Sequence, residues 1–218
     1  MHWPDLFPPM ALRMTCGDLT VSVLTPDDVP ELLDLAVRGV VPESATVYPF
    51  LTDWAKLPAS DLRANSTAWY FSAFASWTKP SPERWSLLMV VREAGRVVGC
   101  QDLMGKSFAV TRLAETGSWL GLEHQGRGIG TRMRQMVCAF AFDHLGATEL
   151  RTDAFKGNAA SRRVSEKVGY QLFDEGPVDQ MGDLAHSLRF RLTEDRLVRP
   201  IEPLVVEGVD AVRTFVGL

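Results

Sequence analysis

Glu115 to Gly130 reads ETGSWLGLEHQGRGIG, and the fold turns on this stretch. Its first half, Glu115–Leu122, is rich in β-forming residues and predicts a strand. Its second half, Gln125-Gly126-Arg127-Gly128-Ile129-Gly130, carries three glycines within five positions. Glycine lets the main chain approach a ligand with no Cβ in between. Consecutive amides in such a turn can form a nest for an anion. Met133, Met136, Val137, Phe140, Ala141 and His144 then fall at helical spacing, which predicts an amphipathic helix ending near Gly146. Its N-terminus would face the nest, where unpaired N–H groups and the helix dipole favour a phosphate. His144 reads as an edge-of-core residue rather than a ligand.

Three phosphate-binding patterns compete for this turn. A P-loop needs Lys followed by Ser or Thr after its last glycine, but Thr131 and Arg132 follow Gly130. The dinucleotide fingerprint is spaced G-x-G-x-x-G, whereas the glycines here fall as G-x-G-x-G. The pattern Q/R-x-x-G-x-G/A fits with no gap. By itself, this match leaves a ligand-free glycine turn equally open.

The chain of 218 residues suits one domain with terminal extensions: an arm at 1–17, a domain at 18–195 and an extension at 196–218. A formal net charge of −4 lacks the basic footprint of a nucleic-acid binder. Cys16, Cys100 and Cys138 are few and scattered, which argues against a disulfide scaffold or a zinc site and for a reducing compartment. The N-terminus shows no basic region followed by an apolar run, and no apolar stretch is long enough to span a bilayer. A cytoplasmic protein without membrane or metal is the expectation. The sequence gives no oligomeric state, and a homodimer is carried as one arrangement.

Along the chain, residues 1–17 hold three prolines and read as an arm or edge segment rather than core. Leu19–Leu24 alternates as a first strand. Thr25 and Pro26 open a helix with Val29, Leu32, Leu33 and Ala36 on its buried face, ending near Gly39. Residues 40–60 are irregular and aromatic, with Tyr48, Phe50 and Trp54. They suit either a loop folded over the core or a wall of a substrate pocket. Residues 61–78 read as a helix in which Leu62, Trp69, Phe71, Phe74 and Trp77 supply much apolar area, broken by Pro80 and Pro82. Trp85–Val91 and Arg96–Leu103 form a hairpin across Glu93-Ala94-Gly95. After the long helix come a strand at Glu149–Phe155, an Asn158 N-cap, a helix over Ala159–Val168 and Gly169 at its C′ position. Tyr170–Phe173 and His186–Leu192 are the last strands, and the tail suits a short strand and helix. The order β-α-α-β-β-β-α-β-α-β-β predicts an α/β (α+β) mixed sheet rather than a doubly wound one.

Three stretches, GSWLGLEHQGRGIG, FAFDHLGATELRTDAF and NAASRRVSEKVGYQ, together resemble the GCN5-related N-acetyltransferases (GNAT). The last is similar to the N-x-x-S-x-x-x-x-x-K-x-G-[FY] run of the RimJ/RimL-like branch. The resemblance implies a mostly antiparallel twisted sheet whose central strands, Glu115–Leu122 and Glu149–Phe155, splay to admit the pantetheine arm of acetyl-CoA. It implies a diphosphate on the amides of Gly126 to Thr131, with Gln125 in the motif and Arg127 as an extra cation. It places an oxyanion donor among the N–H groups of Leu120, Gly121 and Leu122. Ser161 becomes the proton donor to the departing thiolate and Asn158 a cosubstrate contact, although both also suit plain helix capping.

Glu115, on the strand before the loop, is one candidate base, against a plain strand-end charge. His186 is another, since an imidazole can take a proton at neutral pH. The function implied is acetyl transfer to a primary amine, a protein N-terminus or a small amine such as an antibiotic, by direct attack without a covalent enzyme intermediate. The alternative is a non-catalytic acyl-CoA-binding sensor.

Overall fold

The computed structural model describes residues 2–77 and 83–218. Pro80 and Pro82, expected to break the second helix, lie outside the described residues. The chain opens with a short helix, α1 (Trp3–Leu6), and a strand, β1 (Arg13–Cys16). Strand β2 (Leu19–Val23) turns back on β1, pairing Met14 with Val21. Helix α2 (Val29–Val37) follows a 3-10 turn whose start is fixed by Asp28, which accepts from the amide and hydroxyl of Thr25 at 2.7 Å each. Its predicted face, Val29, Leu32, Leu33 and Ala36, is buried as expected.

Helix α3 spans Ala59–Trp77. It buries Leu62, Tyr70 and Trp77, while Trp69 and Phe71 are each 55% exposed. The contact stripe runs through Tyr70, one residue away from each of those aromatics. Strands β3 (Arg84–Glu93) and β4 (Arg96–Lys106) form the expected hairpin, with Ala94 and Gly95 both at positive φ (48° and 83°). A four-residue helix, α4 (Phe108–Thr111), then leads into β5 (Leu113–Leu120). The central strand therefore ends two residues before the predicted Leu122, where a 3-10 turn over Leu122–His124 takes over.

Helix α5 (Ile129–Asp143), strand β6 (Glu149–Phe155) and helix α6 (Ala159–Val168) match the predicted elements closely. The last two strands are longer than read: β7 (Gln171–Gln180) and β8 (Asp183–Leu192) form one hairpin. Gly176, Pro177 and the acidic residues of β7 mask its pattern, because most of that edge strand is exposed and needs no apolar alternation. Strand β9 (Val205–Glu207) and helix α7 (Val209–Phe215) close the chain.

All strands join one nine-stranded sheet in the order β7-β8-β6-β5-β4-β3-β2-β1-β9. Every neighbouring pair is antiparallel except β5 and β6. This is the mixed, mostly antiparallel sheet expected. Residues 2–17, expected as an arm or edge segment rather than core, do contribute to the core: Leu12 and Met14 are fully buried, and β1 sits between β2 and the edge strand β9. Phe7 stacks on Trp77 at 5.0 Å and meets Phe215 edge-on at 5.4 Å, so this segment ties α3 to α7.

Gly169 holds α6 against the return of the chain. Its φ is +109°, and an added Cβ would run into the carbonyl of Arg196. Gly182 at the β7–β8 turn has φ +88° but open space around it. Gly182→Ala is expected to cost about 1 kcal/mol from backbone strain alone, and Gly169→Ala roughly 3 kcal/mol or more from strain plus collision. Denaturant melts of both variants check this; equal losses would contradict the close approach at Gly169.

Candidate active site

The parallel pair at the centre of the sheet closes at one end only. Strands β5 and β6 are in register at Leu113–Glu149, Ala114–Leu150 and Glu115–Arg151, and then part. Beyond that point Thr116 to Leu120 pair only with β4, and Thr152 to Phe155 only with β8. Side-chain hydroxyls fill the apex of the gap. Thr152 Oγ1 donates to Thr116 O at 2.9 Å, and Thr116 Oγ1 lies 3.0 Å from the Tyr170 hydroxyl. Gly121 N donates to Val98 O at 3.0 Å. Antiparallel alternation from that bond turns the N–H groups of Ser118 and Leu120 away from β4, into the gap.

Beside the gap lies the glycine turn. Gly126 and Gly128 have φ of 74° and 85°, with nothing within 4 Å of either Cβ position. Among the described residues, the amides of Gly126, Arg127, Gly128, Ile129 and Gly130 donate to no protein group. Helix α5 starts inside the turn, with Gly128 as its N-cap. Five consecutive free donors thus stand at the positive end of a 15-residue helix, an arrangement that favours negative charge.

Several predicted contacts sort differently. The Thr131 amide is bonded to Gly128 O at 3.1 Å and is not part of the nest. Gln125 does not point at a ligand: its Nε2 donates to Val40 O at 2.7 Å and Leu120 O at 2.9 Å, stapling the turn to the end of α2 and of β5. Arg127 is turned to Glu93 at 2.8 Å rather than to the nest. Of the oxyanion candidates, Gly121 and Leu122 have their amides committed to Val98 O and Gly39 O, which leaves Leu120.

Across the gap, Asn158 caps α6 by accepting from Ser161 N at 3.1 Å. The cap uses the amide of Ser161, and its hydroxyl has no protein partner among the described residues. Glu115 sits at the last paired position of the apex, exposed. His186 is not brought to it. Strand alternation puts His186 on the α6 side of the sheet, with Nδ1 3.6 Å from Glu175, which also holds Lys156 at 2.7 Å.

The other face of the gap carries Glu115, Gly117 and Trp119. The irregular segment 40–60 lies over it. Phe50 packs on Trp54 at 4.9 Å, Trp54 on Trp119 at 5.7 Å, and Gln180 Nε2 donates to the carbonyls of Tyr48 and Phe50 at 3.0 and 2.8 Å. Asp102 shares this face. It is the register partner of Gly117, and its Oδ2 lies 3.5 Å from where a Cβ on Gly117 would be. No side chain therefore separates its carboxyl from the gap-lining stretch of β5. Burial raises the Asp102 pKa from 3.8 to about 7, against the lowering effect of the hydrogen bond from Cys100 Sγ at 3.6 Å. Asp153, on the same face of β6, is also raised, by burial first and then by the charge of Glu115, against the opposing pull of Arg189. Sequence reasoning missed Asp102. Its signal was an acid at a strand position that shares a face with Val98 and Cys100, both buried.

A mixed sheet parted at its one parallel pair, with a free-amide turn opening a helix beside the gap, defines an acyltransferase-type fold. The chain belongs to the acetyltransferase (GNAT) domain family, whose model matches residues 18–171. YdaF of Bacillus subtilis, provisionally named a ribosomal N-acetyltransferase, is 36% identical over 61 residues, a stretch covering 28% of this chain and 33% of that protein. Mycobacterium smegmatis RimJ, solved with CoA-disulfide, superposes with a TM-score of 0.65 at 16% identity, covering 94% of this chain and 92% of RimJ. Spermidine N-acetyltransferase of Vibrio cholerae, solved with CoA and spermine, gives 0.62 at 14% identity, over 83% and 98% of the two chains.

The raised pKa of Asp102 has a stability consequence. Between about pH 4 and 7 the folded protein holds a proton that the unfolded chain has released, so stability falls as pH rises through that window. Asp102→Asn is expected to raise the unfolding free energy by roughly 1–2 kcal/mol at pH 8 and to change it little at pH 4. Denaturant melts at both pH values check this; the same shift at both would contradict a buried, proton-retaining carboxyl.

Proposed function

We propose that this chain transfers an acetyl group from acetyl-CoA to a primary amine by direct attack, within the RimJ/RimL-like branch and in the cytoplasm. The observation that carries this reading is the row of unpartnered amides, Gly126 to Gly130, beside a gap whose banks leave backbone groups free. Those amides fit a diphosphate, and the free edges of β5 and β6 fit the amides of an extended arm. Acetyl-CoA supplies an acyl group activated as a thioester.

The protein's own residues then have separate tasks. The Leu120 N–H faces the gap and is placed to hold the developing charge on the carbonyl oxygen. The unengaged hydroxyl of Ser161, on the opposite bank, donates a proton to the departing sulfur. Asp102, with a pKa of about 7, accepts the proton of the amine, directly or through water. Glu115 and Asp153 add negative charge on the same face and favour an acceptor that arrives as a cation.

Tyr48, Phe50, Trp54 and Trp119 wall this face with aromatic rings, which suits an amine carried on a bulky apolar body. A peptide N-terminus and a small aromatic amine both meet that description. An α-amine has a reference pKa of about 7.7 to 8 and a lysine amine about 10.4, so the α-amine needs less help from the base.

Thiol release from acetyl-CoA is measured with a panel of peptides and small amines. Release with at least one supports the enzyme; tight binding without release across the panel supports a sensor instead. Gly128→Asp places a carboxylate in the nest and is expected to abolish acetyl-CoA binding, read by calorimetry, with the circular dichroism spectrum unchanged; retained affinity would remove the diphosphate from this turn. Ser161→Ala is expected to lower kcat roughly 10- to 100-fold with little change in KM. Unchanged turnover would leave Ser161 only its place in the helix cap.

A further inference from the structure

Arg134 lies on α5 among apolar neighbours, 4% exposed, with no carboxylate partner among the described residues. Its Nη2 donates to Ser118 Oγ at 2.8 Å and its Nη1 to Ser165 Oγ at 3.1 Å. Its Nε is buried and has no partner. The two serines stand on opposite banks of the gap. Ser118 is on the stretch of β5 that has left β6, and Ser165 is on α6, which follows β6. The guanidinium therefore spans the gap on its α5 side.

Gln101, register partner of Ser118 across β4 and β5, is also fully buried, and its Oε1 is likewise unpaired. A desolvated guanidinium held by two neutral hydroxyls is a poor structural device. An apolar side chain of similar length at such a site is commonly neutral or stabilising. Burial alone pushes the Arg134 pKa down, which agrees with a charge short of compensation.

We propose that Arg134 is a cosubstrate-binding residue, donating from its unpaired edge to an amide carbonyl of the pantetheine arm within the gap between β5 and β6. The proposal rests on the acetyl-CoA reading of this site. The Arg134 Nε is a donor without an acceptor, and the carbonyl of a secondary amide would supply one. The arm contains two such amides. Ligand binding then completes the hydrogen bonding of the cation and converts a strained element of the free protein into a satisfied one. Ser165 in turn donates to Ser161 O at 3.1 Å, so the same guanidinium also steadies the turn that carries the Ser161 hydroxyl.

A structural arginine and a ligand-binding one respond oppositely to Arg134→Met. The ligand-free variant is expected to melt at the same temperature as the wild type or higher, while its affinity for CoA falls about 10- to 100-fold. Calorimetry with pantetheine, competed against CoA, is expected to show the same factor, because the contact is to the arm. Arg134→Lys keeps the charge but cannot hold both serines, and is expected to lose less affinity; it carries the measurement if the Met variant does not fold. A folded variant with wild-type CoA affinity overturns the proposal. So does a loss seen with CoA and absent with pantetheine, which would move the contact to the phosphates. A wild type that binds no CoA overturns the acetyl-transfer reading first and takes this proposal with it.

Discussion

The site depends on a sheet that stops pairing where two threonines meet. At Thr116 and Thr152, side-chain hydroxyls take over from the ladder: one donates to the main-chain carbonyl opposite, and the other meets the Tyr170 hydroxyl. Cys138 Sγ, 3.4 Å from that same hydroxyl, completes a buried polar knot. An open edge in the middle of a sheet exposes unpaired N–H and C=O groups, which is costly unless something holds the strands apart. Two features hold them here. The knot fills the apex, and Gly169 sets the start of the turn that delivers Tyr170. The gap is a built feature of the packing on the α5 side of the sheet.

The glycine turn is rigid for a related reason. Its outer side is free, but its root is fastened. Leu122 N bonds to Gly39 O, Gln125 reaches Val40 O, and an added Cβ on Gly121 would strike Leu35. Helix α2 thus anchors the loop from the far side of β5. A free row of amides is useful only if it is already pointed the right way, because ordering a floppy loop on binding would consume affinity. Gln125, counted among the cosubstrate contacts because it opens the motif, is what provides that order.

Elements with strong local signals were legible in the sequence. The boundaries of β6 and α6 were readable because Asn158 and Gly169 are caps with a fixed mechanism. The N-terminal face of α2 was readable because a single stripe is buried. What escaped reading depends on distant partners. β1 is short and follows a proline-rich run, and its place in the sheet comes from pairing with β2 on one side and with β9, from the other end of the chain, on the other. On α3, Tyr70 is buried while Trp69 and Phe71 on either side of it are exposed, which an aromatic-rich run does not reveal. Within the site, the motif located the nest but not its limits, since the commitment of the Thr131, Gly121 and Leu122 amides follows from the turn's exact path. Asp102 and Arg134 share one cause for being missed. Each is a charged residue inside an apolar pattern, and pattern reading discounts such residues as noise although burial makes them chemically distinctive.

Those two residues also show how the sheet divides its labour. Asp102, Glu115 and Asp153 lie on the face covered by α2, α3 and the aromatic segment, whereas the free amides, the start of α5 and Arg134 lie on or beside the opposite face. The two sets of opposite charge approach each other only across the gap between β5 and β6. On the acetyl-transfer reading, a cationic amine and an anionic cosubstrate are each drawn to their own side, and neither is stabilised in the other's place. The mild overall charge of −4 conceals this separation, because it averages two local fields of opposite sign. A sheet zipped along its full length would keep those fields apart and chemically silent. Parting one pair of strands lets the two bound groups meet at a single point, which is why the threonine apex, remote from any charge, governs whether the site can act at all.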